Sequence, residues 1–442
     1  MGRPPWRCQA VNRQQILAVS GVTAVAQLAG FLKLWVIARQ FGVGAELDGY
    51  NLAFVGPTLI VGVVAGALPT GLFPVYTALR VRHGSTAVES LERLVFWHVL
   101  AWGTAISLAL FVLSEPAADL LAAGAAPAVR EATAQVLRFS ALSVVFSAIG
   151  DYLASVLALR GRYIAAAAAP IANAIVGMAA LLVWPEGRLT SLAAGTLLGV
   201  ALQTGIIFVS LSANGFAVYH RGAPRVDLRA ESRRIKQLAG WILPGTIVAN
   251  LSGAIPPLLL VEFGDGAVSA FGYAYKFHLT TVQLLVMAIS PMLLAHFSEL
   301  VAKGHWLELE SIQHRSLRAT LLIGAIFIAV IWIAGTSLLD LALGHGSFDS
   351  SAAARVQSHW LWLTFGLTSA LHGAVLAKRL QAHGRARDLS ALALAGLVIL
   401  VVVFWALRPL LSETAAPAAV AAGTTATCIA MVTLIRRLGR ER

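Results

Sequence analysis

The chain has 442 residues, of which 58% are hydrophobic and 12% are charged, and its formal charge is +12. A soluble domain carries about 25% charged residues, so this composition excludes a soluble protein, which could not cover its surface. A bilayer core is crossed by about 20 apolar residues in a helix, and segments of that length recur along the whole chain. The basic residues lie in short runs between these segments, which follows the positive-inside rule and argues against a nucleic-acid partner.

The apolar segments predict an all-α, polytopic membrane protein of about twelve transmembrane helices. In chain order they are residues 15–39, 47–79, 92–114, 131–159, 162–184, 190–216, 236–262, 266–298, 314–343, 356–381, 388–411 and 415–435. The first run is too long for a cleaved leader, so it predicts a retained helix. Pro57, Pro69 and Pro74 predict bends in the second helix.

The Lys and Arg residues predict the orientation of these helices. Of the 33, twenty-five fall on one side of the predicted membrane and six on the other. The remaining two, Lys33 and Lys276, fall inside helices. Because cytoplasmic loops carry the excess of Lys and Arg, both termini are expected in the cytoplasm.

A polar stretch near the midpoint divides the chain into two predicted lobes. We expect an N-terminal lobe of six helices over 1–217, a basic cytoplasmic linker over 218–235 and a C-terminal lobe of six helices over 236–442. A repeat supports this division, since Phe41-Gly42-Val43-Gly44-Ala45 follows the first helix and Phe263-Gly264-Asp265-Gly266-Ala267 follows the seventh. Six helices is an even number, so the lobes should be parallel repeats related by a pseudo-two-fold axis along the membrane normal, with the substrate path between them.

Lys33 and Lys276 are the first candidates for a binding site. A charge inside a membrane helix costs about 2.5–3.5 kcal/mol on insertion scales and therefore usually faces the protein interior or water. Lys276 shares a helical face with Gly272, Thr280 and Gln283, which is a suitable cavity wall. Lys33 lies nearer the outer surface, so snorkelling to the headgroups is an alternative for it. Two lysines facing one cavity would bind an anionic phosphate or diphosphate.

Three further polar residues lie in or at the start of predicted helices. Asp151 is placed well inside the fourth helix, where it could take part in ion coupling or form a structural salt bridge. Asp48 and Asn51 open the second helix and are candidates for the substrate site. For Asp48 the alternative is capping of a helix near the membrane surface.

The sequence contains no motif of an enzyme or metal site. His278 and His372 have no partner at ligand spacing, and no phosphate-binding loop, nucleophile elbow or HExxH motif is present. We therefore expect a protein that is not an enzyme and that has no metal and no cofactor. Coupling to Na⁺, H⁺ or the membrane potential remains open.

Several segments resemble the MurJ/MviN family of lipid II flippases, which belongs to the MOP exporter superfamily. The most specific part covers roughly residues 27–80 and contains Gly30-Phe31-Leu32-Lys33, Ile37-Ala38-Arg39-Gln40-Phe41-Gly42-Val43-Gly44-Ala45, Asp48, Leu52-Ala53-Phe54, Pro57, Gly66-Ala67 and Phe73-Pro74-Val75. Ala169-Pro170 with Asn173 resembles the family's fifth helix, and Gly266-Ala267-Val268-Ser269 with Tyr273-Ala274-Tyr275-Lys276 resembles its eighth.

The resemblance implies candidate site residues, and this chain also departs from the family's pattern at several positions. By motif position, Lys33 and Lys276 replace two arginines of the family's central cavity. Gln27 stands where another arginine is expected, and Val61-Gly62 replace an arginine pair. The family tends to have fourteen helices, whereas twelve are predicted here.

The function implied is flipping of a polyprenyl-diphosphate-linked glycan, either lipid II or an exopolysaccharide precursor, by alternating access. The expected partners are this anionic glycolipid and the lipids of the bacterial inner membrane, with a monomeric protein. Two alternatives are a MATE-like, ion-coupled exporter of small molecules, for which Asp151 would be the acidic site, and a transport-dead membrane scaffold.

Overall fold

The computed structural model describes residues 13–216, 218, 228–287 and 290–440, and these residues form helices joined by short turns. No strand occurs among them. The helices are α1 (Arg13–Phe41), α2 (Ala45–Val112), α3 (Ser114–Leu121), α4 (Pro127–Leu159), α5 (Tyr163–Val183), α6 (Arg188–Ser212), α7 (Arg229–Leu260), α8 (Ala267–Met287), α9 (Ser290–Lys303), α10 (Trp306–Leu343), α11 (Ser350–Phe365), α12 (Leu367–Ala382), α13 (Ala386–Leu411) and α14 (Ala415–Arg440).

Helix α2 consists of two helical segments, Ala45–Gly84 and Thr86–Val112. They meet at Gly84, whose φ of 75° is non-helical. Positive φ is accessible to glycine at little cost because it has no Cβ. Gly84 therefore ends one membrane-spanning segment and permits the next to begin within two residues.

The length and composition of the helices confirm a polytopic, all-α membrane protein. Among the residues that the structure describes, nine stretches could cross a bilayer, or ten if the bent pair α11–α12 is one span. One of the nine, Arg387–Arg437, covers most of both α13 and α14. The layout of twelve helices in two six-helix lobes stays a prediction.

Some helix boundaries differ from the predicted ones. The predicted eighth helix, 266–298, is divided into α8 and α9. Helix α7 begins at Arg229, so the second part of the predicted linker 218–235 is helical. Hydropathy registers only the apolar part of a helix, whereas Arg, Glu and Lys are good helix formers that extend it beyond the bilayer.

The chain forms two compact units. Unit 1 contains the described parts of Met1–Val36, Leu68–Val112 and Arg138–Leu238, and unit 2 contains those of Ile37–Ala67, Leu113–Leu137 and Ala239–Arg442. The first part of α2, up to Ala67, therefore belongs to the same unit as α7 from Ala239 onward and as α8 to α14. The predicted lobes, 1–217 and 236–442, are defined by the sequence repeat and stay a prediction.

Candidate functional site

Lys33 lies on α1 in unit 1 and is bonded to two other helices of that unit. Its Nζ donates to Thr196 Oγ1 on α6 at 3.2 Å and to Asn173 Oδ1 on α5 at 3.5 Å. The Nδ2 of Asn173 donates in turn to Gln203 Oε1 on α6 at 3.3 Å. These two hydrogen bonds hold the Lys33 ammonium against α5 and α6.

Gly177 on α5 provides the space into which the Lys33 side chain extends. A Cβ placed at Gly177 would lie 2.6 Å from Lys33 Cε and 2.8 Å from its Nζ. Contacts this short do not occur between real side chains, so a larger residue would displace the ammonium. Gly177 lies one helical turn after Asn173, and both therefore belong to the face of α5 that receives Lys33.

Two other predicted site residues also belong to unit 1. Gln27 is half-buried on α1. Asp151 is half-buried on α4, and the hydroxyl of Ser155 donates to its main-chain carbonyl rather than to its carboxylate, at 2.8 Å. No ion pair of the Asp151 carboxylate occurs among the described residues. A role of Asp151 in ion coupling stays a prediction.

Asp48 on α2 is 1% exposed and belongs to unit 2. Its Oδ2 accepts the main-chain N–H of Gly266 and its Oδ1 accepts that of Ser269, each at 2.6 Å. These are N–H groups at the start of α8, which have no partner within their own helix. Asp48 therefore caps a helix, but the helix is α8, which begins more than 200 residues later.

The capping is reciprocal. The main-chain N–H of Gly44, just before α2, donates to the hydroxyl of Ser269 on α8 at 3.3 Å. The Tyr273 hydroxyl on α8 also donates to the carbonyl oxygen of Gly42 at 3.2 Å. The two copies of the Phe-Gly-x-Gly-Ala repeat thus lie at the starts of two helices that satisfy each other's main-chain groups.

The remaining predicted site residues are found on or against α8. The Asn51 amide lies against Gly272, where a Cβ would be 3.0 Å from its Nδ2. Lys276, Thr280 and Gln283 follow one face of this regular helix, as their spacing predicted. Lys276 and Gln283 are exposed on the protein and Thr280 is half-buried. Lys276 belongs to unit 2 and Lys33 to unit 1, so a cavity shared by the two lysines stays a prediction.

Two partly buried ion pairs were not predicted from the sequence. In unit 1, Arg160 Nη2 lies 2.5 Å from Glu92 Oε2, and the Glu92 side chain is 1% exposed. In unit 2, Arg355 Nη2 lies 2.5 Å from Glu413 Oε2, and the fully buried His359 lies 3.5 Å from the same carboxylate. The paired residues are 58 or more positions apart, so no local pattern indicates them.

Two solved structures have a similar fold. A lipid II flippase MurJ in an inward closed conformation matches with a TM-score of 0.80 and 16% identity, over 95% of this chain and 87% of that chain. An inward-facing multidrug resistance transporter of the MATE family, from the MOP superfamily, matches with a TM-score of 0.74 and 14% identity, over 96% of this chain and 97% of that chain. The chain has the fold of a MOP superfamily membrane transporter.

The particular family follows from the sequence comparisons. The model of the family described as "Lipid II flippase MurJ" matches residues 37–442, and the chain belongs to this family. It is 26% identical over 385 residues to the lipid II flippase MurJ of Burkholderia cenocepacia, covering 82% of this chain and 72% of that protein. It is 24% identical over 350 residues to a probable lipid II flippase MurJ of Rhizobium meliloti, covering 76% of this chain. The match spans 64% of the length of the Rhizobium protein, less than two thirds. The predicted family is confirmed.

Proposed function

We propose that this protein moves a polyprenyl-diphosphate-linked glycan, lipid II or an exopolysaccharide precursor, from the cytoplasmic to the outer leaflet of a bacterial inner membrane. The observation that carries the proposal is the match of the MurJ family model to residues 37–442. The multi-pass helical fold supplies the membrane setting that a lipid-linked substrate requires. The proposal includes a monomeric protein with both termini in the cytoplasm.

Lys33 and Lys276 are the proposed diphosphate ligands. The Lys33 ammonium is held in place by hydrogen bonds to Asn173 and Thr196. Lys276 is exposed on α8, where it can meet a ligand without prior rearrangement. Gln27, Asn51, Thr280 and Gln283 would bind the polar groups of the substrate through hydrogen bonds. Lysine binds phosphate as a point charge, so two lysines suit a mobile diphosphate that must also be released.

Asp48 has a different proposed role, which is to hold one end of the transport path closed. Its carboxylate joins the start of α2 to the start of α8, which are at the predicted outer surface. Alternating access requires such a contact to form in one state and break in the other. Two main-chain hydrogen bonds can do so when water replaces the carboxylate as acceptor.

The experiment uses a bacterium depleted of its own lipid II flippase and expressing this full-length protein. Growth and the amount of lipid-linked glycan in the outer leaflet are measured. The Lys33→Ala and Lys276→Ala double variant should lower export at least tenfold, whereas the Lys33→Arg and Lys276→Arg double variant should retain most of it because the charge is kept. Lys303→Ala is the matched control, since Lys303 is exposed on α9 and pairs with Glu299.

Two results would contradict the proposal in different ways. Normal export by the double alanine variant would refute the role of the lysines but leave the transport function standing. If the unaltered protein inserts in the membrane and exports neither lipid II nor another polyprenyl-linked glycan, the function itself is refuted. Drug efflux that is lost in Asp151→Asn would then favour the ion-coupled exporter.

A further inference from the structure

Two adjoining recesses lie in unit 1 at the end of the first segment of α2. The first is an open groove of about 630 Å³ along α2, bordered by Phe73, Thr77, Val81 and Arg82. The second is a pocket of about 160 Å³ between α2 and the first turn of α7, bordered by Arg82, His83, Glu231 and Arg234. Ala78 and Arg82 line both recesses, so the groove and the pocket adjoin each other.

A buried core fixes the two helices that form the pocket. Val75 and Leu79 of α2 belong to the same apolar cluster as Ile235 of α7 and as Leu228, which precedes α7. Val75 and Leu79 also line the pocket. The first turn of α7 is thereby held beside the end of an α2 segment by apolar packing, and the charged side chains lie at the exposed rim.

The basic side chains that line the pocket suit the binding of an anion. Arg82, His83 and Arg234 are exposed and line it together. The first turn of α7 contributes the positive end of a 32-residue helix, whose first N–H groups have no intrahelical partner. Glu231 is the opposing charge in the lining, and it should weaken the binding of any anion there. Its volume of about 160 Å³ is large enough for one phosphate group.

The groove has the character of an acyl-chain site. Phe73, Thr77 and Val81 follow one another at four-residue spacing on one face of α2. Phe73 and Val81 are large apolar side chains with 36% and 60% of their surface exposed. From Phe73 to Arg82 the helix rises about 13 Å, close to the half-thickness of a bilayer core of about 30 Å. A chain lying in the groove with its head at Arg82 would therefore span one leaflet.

We propose that these two recesses form one binding site for an anionic glycerophospholipid of the cytoplasmic leaflet. The phosphate group lies in the pocket between Arg82 and Arg234, and one acyl chain lies along Phe73 and Val81. The end of the first α2 segment contains Arg82 and is predicted from the distribution of Lys and Arg to face the cytoplasm. Basic pockets on that side bind anionic headgroups. This site is independent of the transported substrate and rests on the proposed function only for the orientation of the chain in the membrane.

The test titrates the purified full-length protein in detergent micelles with fluorescent phosphatidylglycerol or with phosphatidylcholine carrying the same acyl chains. The unaltered protein should bind phosphatidylglycerol at least fivefold more tightly. Each guanidinium near a headgroup contributes to this preference, so Arg82→Gln or Arg234→Gln should weaken phosphatidylglycerol binding about fivefold and the double variant more than tenfold. Arg80→Gln is the matched control, because Arg80 is exposed on the same helix outside both recesses.

Two further variants distinguish a change in lipid binding at this site from misfolding of the protein. Glu231→Gln removes the opposing charge and should tighten phosphatidylglycerol binding two- to fivefold, a gain that misfolding cannot produce. Val81→Ser should weaken the binding of both lipids by a similar factor because it acts on the acyl chain. An unchanged preference in the double arginine variant overturns the proposal. Displacement of the lipid by millimolar inorganic phosphate with no effect of Val81→Ser also overturns it, because the site would then bind free phosphate.

Discussion

Replacement of Asp48 by alanine tests the reciprocal cap between α2 and α8. The carboxylate is 1% exposed and accepts two main-chain N–H groups at 2.6 Å, one on each oxygen. Asp48→Ala leaves the N–H groups of Gly266 and Ser269 without these acceptors at a buried site. A buried donor left unsatisfied costs about 1–3 kcal/mol, and some of this is offset because the buried charge is also removed. We expect the free energy of unfolding to fall by about 2–4 kcal/mol.

The matched control is Asp349→Ala. Asp349 also caps a helix, since its Oδ1 accepts the N–H of Ala352 at 2.8 Å, but its side chain is exposed and water can replace it. The usual cost of losing such a cap is about 1 kcal/mol.

Unfolding of both variants is measured by titration with SDS in mixed micelles, followed by tryptophan fluorescence and circular dichroism. The reasoning is refuted if Asp48→Ala costs no more than Asp349→Ala, because burial of the Asp48 cap would then add nothing.

Three further predictions concern other parts of the two units. Gly177→Ala should lower glycan export at least fivefold at an unchanged protein level, because the new Cβ displaces the Lys33 ammonium. Glu92→Gln should lower the free energy of unfolding by about 2–4 kcal/mol, since it leaves the Arg160 guanidinium in a largely buried position without its anion. Hydrogen bonding from main-chain N–H groups holds the pKa of Asp349 below its ordinary value. The cap therefore stabilises the protein fully at a pH above the ordinary pKa, and this stabilisation is lost as the pH falls through the lowered pKa.

Controls for these predictions come from the same chain. Gly21→Ala on α1 has open space around its Cβ and should leave export unchanged. Glu131→Gln removes an exposed carboxylate and should change stability by less than about 0.5 kcal/mol. Asp349→Asn should remove the pH dependence assigned to that cap when unfolding is compared at neutral and acid pH. Equal effects in a variant and its control would contradict the corresponding prediction.

The amino-acid sequence by itself determined the class of fold, because the cost of placing residues in a bilayer is a local property. Apolar runs of about twenty residues define membrane helices whatever they pack against. Helical periodicity likewise predicted that Lys276, Thr280 and Gln283 share one face of α8, and local motifs indicated the MurJ family. The positions of the helix ends were predicted less accurately, because the charged first turns of α7 extend that helix beyond its apolar run.

Only the tertiary structure decided which polar groups meet. Lys33 bonds to residues 140 and 163 positions away, and Asp48 bonds to residues 218 and 221 positions away. A buried polar group must find a partner, so the sequence shows that such a partner is needed. Which partner it finds depends on how distant helices pack, and the shapes of the packed surfaces set that packing. At Gly177, for example, the absence of a side chain leaves room for Lys33. Periodicity within one helix contains no information about this packing.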